Sequence, residues 1–229
     1  MNIVEPYARI LWGQETVVEL LRKIEWCGRI SHRSEEAQTD DSWEKFLRAV
    51  VLGHGDWSIV EHAAVTVDAV VDRGITHEWV RHRMGSYTQE STRFVNYEKK
   101  MPASFILPAG LSGDAERAGN GEQVEPSQRQ IWGHAISTAE QSYKRRIARG
   151  VAPQIARSVF PNALASRIVT TCNLRNWRHF LLMRTTREAH PQMRQVTIPL
   201  LKEFQEKIPV LFEDIEPEAK QADNMRKMR

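Results

Sequence analysis

Apolar residues along this chain recur with two periods, and the alternation between them predicts most of its elements. After a short opening strand, "ETVVELLRKIEWC" sets Val17, Leu20, Leu21 and Ile24 at i, i+3, i+4 and i+7, the stripe of an amphipathic helix. "DDSWEKFLRAVVLG" predicts a second helix, with Asp41 or Ser42 as cap and Gly53 as stop. "AAVTVDAVVD" changes to period 2, Val65, Val67, Ala69 and Val71 against Thr66 and Asp68, and predicts a strand. "ITHEWVRHR" predicts a short helix, and "TRFVNY" an extended segment. The clearest helix is "SQRQIWGHAISTAEQSYKRRIARG", where Trp132, Ile136, Ala139, Tyr143 and Ile147 share a face and Gly150 stands at C′. "APQIARSVFP" predicts a short helix framed by prolines and "SRIVTTCN" a strand. Two more helices follow, "RNWRHFLLMRTTRE" and "PQMRQVTIPLLKEFQEKI".

Residues 110–127 are Gly-rich and polar and predict a surface loop without structure of its own. No internal repeat and no linker divides the chain, so a single domain over 1–229 is expected, with 220–229 as a frayed tail. Strands and helices come in uneven blocks. That favours an α+β fold, a mostly antiparallel twisted sheet flanked by helices.

Composition narrows the function classes. The 229 residues carry 32 basic and 29 acidic side chains, a net charge of +3 that does not by itself argue for nucleic acid or an anionic membrane. Any anion site must come from local clustering. The opening residues lack a basic-then-apolar signal pattern, and no window approaches eighteen consecutive apolar residues. Cys27 and Cys172, the two cysteines, sit among apolar or neutral neighbours and read as buried thiols of a reducing compartment. A cytoplasmic protein is expected.

The densest chemistry lies in "WVRHRMGSYTQESTRF", Trp79 to Phe94. Consecutive helical side chains fan out by about 100°, so Arg81 and Arg83 cannot point the same way on a helix. Either they serve two ligands, or the helix ends there; Gly85 supports the second possibility, and a solvated cationic helix end remains open beside both. Beyond Gly85 an extended chain puts Gln89, Ser91 and Arg93 on one face. Amide, hydroxyl and guanidinium together can hold a phosphate or carboxylate; an ordinary polar edge strand would look the same. Further on, Arg184 falls within about 60° of Trp177, Phe180 and Leu181 on a helical wheel, on an apolar face. A guanidinium there needs an anion, supplied by Glu188 one turn on or by a ligand. Arg157 is a third candidate on a similar background.

"RHRMGSYTQES" is Arg-His-Arg, seven residues, then Ser, and it resembles the signature of flavin-dependent thymidylate synthases, the ThyX family. The resemblance continues in order through "SIVEH" at 58–62, "IARSVFP" at 155–161 and "NLRNWRHFLLMR" at 173–184. It implies a homotetramer with active sites at subunit interfaces, binding FAD, dUMP, NADPH and methylenetetrahydrofolate and converting dUMP to dTMP. It assigns Arg81 to both nucleotide and flavin, and His82 and Arg83 to FAD. Gln89, Glu90, Ser91, Thr92 and Arg93 match the dUMP-gripping segment, with Gln89 also reaching the flavin. Arg157 matches a dUMP arginine. Asn173, Leu174, Arg175 and His179 match flavin contacts, and Ser58 another. Arg184 matches the arginine set against the uracil and is the expected catalytic residue. Glu78 falls where the family often has a dUMP-contacting Gln, with Trp79 and Val80 beside it. One departure is visible: the family commonly shows Gly-His-x-Ser-x-x-Glu-His, whereas this chain reads "GHGDWSIVEH". Aligned on Ser58, Asp56 stands where His is expected, unless two residues are inserted and His54 fills the place. Ser91 has no neighbouring base in the sequence and is expected to bind rather than attack. No Gly-x-Gly-x-x-Gly follows a strand, so the FAD site is expected not to be of Rossmann type.

Two other readings stand beside this one. "YKRR", "RNWRHF" and "MRKMR" interleave basic and aromatic residues as single-strand nucleic-acid binders do. His54, Glu61, His62, His77 and His82 could be gathered into a metal site, although their spacings match no common ligand pattern. No metal is expected.

Overall fold

The computed structural model describes residues 1–99, 101–111 and 126–227. Most of the expected 110–127 loop therefore lies outside the described residues. The fold is α+β, with a four-stranded antiparallel sheet flanked by helices. The chain forms two compact units, one of residues 1–6, 70–79 and 89–168, the other of residues 7–69, 80–88 and 169–229.

The second unit holds most of the sheet, in the order β2 (Tyr7–Leu11), β3 (Ala64–Asp72), β6 (Ala165–Asn173), β4 (Ser86–Gln89). On β3 Val65, Val67, Ala69 and Val71 are buried as the period predicts, whereas Asp68, on the other side of the alternation, is fully buried as well and accepts from Tyr7 and Arg9. Thr66 meets Thr171 of β6 at 2.9 Å between hydroxyl oxygens. Helix α1 (Val17–Ile30) starts at a complete capping box, Thr16 with Glu19, and buries Leu20, Leu21 and Ile24. The predicted second helix is α2 (Ser42–Leu47), which widens into a π-helical turn, Arg48–Gly53. Helix α6 (Leu174–Arg184) starts where β6 ends, and its Trp177 Nε1–H donates to the Val65 carbonyl at 2.9 Å. Helix α7 (Pro191–Lys207) packs on β2, where Glu203 accepts from the Ile10 N–H at 3.1 Å and from Trp12 Nε1 at 3.3 Å.

The chain end departs from expectation. Helix α8 (Pro209–Phe212) follows α7, and the segment expected to fray forms α9 (Gln221–Arg226), with Asn224 fully buried. Among the contacts that tether this segment is Arg178 of α6, whose side chain is 1% exposed. It donates to Asp214 through two bonds of 2.6 Å, to the Leu211 carbonyl at 2.6 Å and to the Lys227 carbonyl at 3.1 Å. Its guanidinium carbon also lies 4.5 Å from the centre of the Trp57 ring.

The first unit holds α3 (Arg73–Trp79), α4 (Gln128–Ala148), α5 (Pro153–Ala156) and a parallel pair, β1 (Asn2–Ile3) with β5 (Ser104–Phe105). Helix α4 starts at the capping box of Ser127 with Gln130 and ends before Gly150, which has φ 79° as a C′ glycine requires. Its Ile136 and Tyr143 join Tyr97, Ala103, Phe105, Ala156 and Leu164 in one apolar core.

Candidate functional site

The expected site residues divide between the two units, most of the flavin set in the second and most of the nucleotide set in the first.

In the second unit, Arg81–Arg83 lie on a turn beyond the end of α3, so helical geometry does not constrain them. Arg81 and Arg83 are exposed, and His82 and Val80 are half-buried. Gly85 is required for room rather than as a left-handed cap. A Cβ there would come within 2.5 Å of Cys172 Sγ and 3.1 Å of Tyr87 Oη. The Tyr87 hydroxyl donates to the His82 carbonyl and closes the turn. Burial pushes this phenol up to about 12 and the Cys172 thiol up to about 11, so both stay protonated. Cys27, expected to be buried, is half-buried.

Helix α6 carries the rest of the flavin set. Asn173 is its N-cap, accepting the Asn176 N–H at 2.9 Å, and Leu174 is buried with its N–H bonded to the Ala63 carbonyl. Arg175 pairs with Glu61. Ser58 is exposed on the 3-10 turn Trp57–His62, preceded by His54 and Asp56, also exposed, and by Gly55 at φ 81°. His179 and His82 meet edge to face with ring centres 5.9 Å apart, and Phe180 lies 4.7 Å from His82.

Arg184 is half-buried, and its Nε–H donates to His82 Nε2 at 2.9 Å. Glu188, weighed as its carboxylate, is exposed and accepts from the Gln221 N–H. An imidazole that accepts from a guanidinium must be neutral, with its proton on Nδ1. Burial, then the Arg184 charge, then His179 lower the His82 pKa from 6.5 to about 4, and His179 is lowered for the first two reasons. Between those values the unfolded chain binds more protons than the folded one, so stability rises with pH through that window. Melting temperature should therefore fall on acidification from about pH 6.5 to pH 4, and less steeply in His82→Asn. An identical slope in the variant would remove His82 as the cause.

In the first unit, Gln89 ends β4 and donates through Nε2 to Thr76 Oγ1 at 3.0 Å and Ser166 Oγ at 3.1 Å. The extended run expected through Arg93 and "TRFVNY" is absent. Ser91 Oγ accepts the Arg93 N–H at 3.3 Å, and the Ser91 carbonyl accepts from Phe94 at 3.2 Å and Val95 at 3.0 Å. A serine that bonds its own downstream backbone competes with the strand and folds the chain into a turn. Asn96 repeats the device, its Oδ1 accepting from Glu98 and Lys99. Inside the first turn Thr92 is 4% exposed, and its Oγ1 accepts from Arg157 Nη1 at 2.6 Å. Arg93 is exposed, its guanidinium carbon 5.5 Å from the Phe94 ring centre. Trp79 is buried in the core at 1% exposure, and Glu78 is half-buried. Tyr97 donates to Glu90 Oε1 at 2.5 Å, a contact with no periodicity to announce it.

Among the described residues no three His, Cys, Asp or Glu side chains gather as metal ligands. Trp177, Phe180 and Tyr143, the aromatics of the basic-aromatic clusters, are at most 3% exposed and offer no stacking platform. No helix among the described residues is long and apolar enough to cross a membrane.

Residues 5–210 match the family described as thymidylate synthase complementing protein. The flavin-dependent thymidylate synthase of Mycobacterium sp. (strain JLS) is 32% identical over 205 residues, 84% of this chain and 79% of the relative. That of Corynebacterium aurimucosum is 33% identical over 199 residues, 83% of this chain and 78% of the relative. Among solved structures, the UMP/dUMP methylase PolB from Streptomyces cacaoi, bound with 5-Br dUMP, superposes with TM-score 0.70. At 23% identity over 93% of this chain and 96% of that one, it shows a common fold. A family match across 5–210, through both units and every motif described above, means that the chain belongs to the thymidylate synthase complementing protein family.

Proposed function

We propose that this protein is a flavin-dependent thymidylate synthase, converting dUMP to dTMP with methylenetetrahydrofolate as carbon donor and NADPH as reductant through FAD. The observation that carries the reading is the turn at Ser91–Arg93 with Arg157 locked onto Thr92. It holds a guanidinium against a hydroxyl-rich turn, a donor set suited to a nucleotide phosphate. The relatives' names, and the dUMP analogue in the structural neighbour, point to the same substrate.

The residues of the second unit fit a flavin dinucleotide. Exposed guanidinia at Arg81 and Arg83 suit a pyrophosphate, and Met84, 76% exposed, offers apolar surface to a ring. Ser58, Asn173, Arg175 and His179 would complete the hold. Bound flavin supplies the hydride chemistry of the reaction. The chain binds and polarises. Arg81, Glu78, Gln89, Ser91, Arg93 and Arg157 would orient dUMP, and Arg184 would stabilise negative charge developing on the uracil. Ser91 Oγ is held by a backbone N–H and serves binding rather than attack.

The chain acts as one synthase domain over 1–229, and four copies form the enzyme, with sites at subunit boundaries. Phe94, 76% exposed beside the signature residues, is apolar surface that a neighbouring copy would cover. Two unpaired cysteines suit a cytoplasmic setting.

A visible spectrum of the purified protein should show flavin. NADPH oxidation should be stimulated by dUMP, and dTMP should form only when the folate is added. A colourless protein that cannot be reconstituted with FAD would overturn the assignment.

A further inference from the structure

Glu90 lies in the middle of the segment assigned to dUMP, yet both its backbone and its carboxylate are committed inside the first unit. Its N–H donates to the Arg167 carbonyl at 2.8 Å, and its carboxylate accepts the Tyr97 hydroxyl at 2.5 Å. A carboxylate turned on a phosphate would repel it, so a direct side-chain contact with a nucleotide phosphate is electrostatically unfavourable. The other end of the contact is fixed more firmly. Tyr97 is 6% exposed and belongs to the apolar core, edge to face with Tyr143 and Phe160. Its N–H donates to Tyr143 Oη at 3.3 Å. Burial, with the Glu90 bond second, drives this phenol far above its ordinary pKa, so it remains a donor. Arg73, whose charge acts on the same phenol, leaves Nη1 buried without a hydrogen-bond partner, adding positive potential there.

The two residues are seven positions apart, and Ser91, Thr92 and Arg93 lie between them. We propose that the Tyr97–Glu90 hydrogen bond is a clasp that closes this loop on the core and sets the Ser91–Arg93 turn for dUMP, making Tyr97 and Glu90 positioning residues rather than substrate contacts. The proposal rests on the reading of that turn as part of the dUMP site. Opening the clasp leaves the loop with more conformations to lose when the nucleotide binds, a cost that appears in affinity.

The test is steady-state kinetics of the FAD-loaded enzyme with dUMP varied. Tyr97→Phe keeps the ring in the core and removes only the donor. It should raise the KM for dUMP roughly tenfold with kcat within about twofold. Glu90→Ala should match it, and the double variant should be no worse than the worse single, since both delete one interaction. Glu90→Gln keeps an acceptor and should hold KM within about threefold of the parent. A purely structural role would lower stability without this separation of KM from kcat, and without rescue by glutamine. Unchanged KM in both Tyr97→Phe and Glu90→Ala, or additive losses in the double variant, would overturn the clasp alone. A parent enzyme that binds no dUMP would overturn the clasp and the assigned function together.

Discussion

Arg184→Met should lower dTMP formation by roughly 10²–10³-fold, the cost of removing one preorganised donor from developing charge. The guanidinium is preorganised because its Nε–H is bound to the lone pair of His82 Nε2 at 2.9 Å. His82 supplies that lone pair because burial and the neighbouring cation keep it neutral. The arginine therefore helps create the state of the histidine that orients it. Lysine cannot replace this arrangement, since a rotating ammonium has no planar fork to fix, so Arg184→Lys should recover little of the loss. The flavin spectrum and the dUMP-free rate of NADPH oxidation serve as controls and should change far less than dTMP formation. Turnover in Arg184→Met within about threefold of the parent would remove Arg184 from the chemistry.

Arg178→Leu should destabilise the protein by about 3 kcal/mol, toward the lower end for breaking a buried ion pair. Two carbonyls, of Leu211 and Lys227, lose a donor, and Asp214 loses both of its guanidinium bonds. Asp214 keeps 39% side-chain exposure, so water re-solvates it and limits the cost. For a chain of this size the melting temperature should drop by about 6–12 °C. Replacing Asp214 as well, in Arg178→Leu/Asp214→Leu, should recover part of the loss, because no carboxylate is then left without its partner. Thermal or denaturant unfolding reads both variants. A loss below about 1 kcal/mol in the single variant would mean that the arginine is incidental to holding α9 in place.

The sequence made legible those parts whose causes are local. Helices α1 and α4 carry complete capping boxes and apolar stripes, and β3 alternates through Val65, Val67 and Ala69. The family pattern located the signature, and a match over 5–210 supports it. The conformation of the signature was not legible. Period 2 implied a strand from Gln89 to Arg93, but the Ser91 oxygens bond the next residues' N–H groups and turn the chain instead. Burial of charge was misplaced for a similar reason. A helical wheel singles out Arg184, whereas the fully buried guanidinium among the described residues is Arg178, about 100° from Trp177. Its partners, Leu211, Asp214 and Lys227, lie 33 to 49 positions downstream, beyond the reach of any local pattern. Nothing local marks Tyr97, whose contact with Glu90 exists only once the loop is folded.

The seven residues between Arg83 and Ser91 have a structure of their own: a turn closed by Tyr87, a glycine seated over Cys172, and the strand Ser86–Gln89. Strand side chains alternate, so one inserted residue would reverse the direction of the strand side chains after it, up to Gln89. Exposed spacer positions such as Ser86 and Thr88 can therefore change more easily than the spacer's length, whereas Gly85 has no room for a side chain. For a genome survey, the seven-residue interval together with that glycine is therefore a stricter criterion than the remaining letters of the spacer.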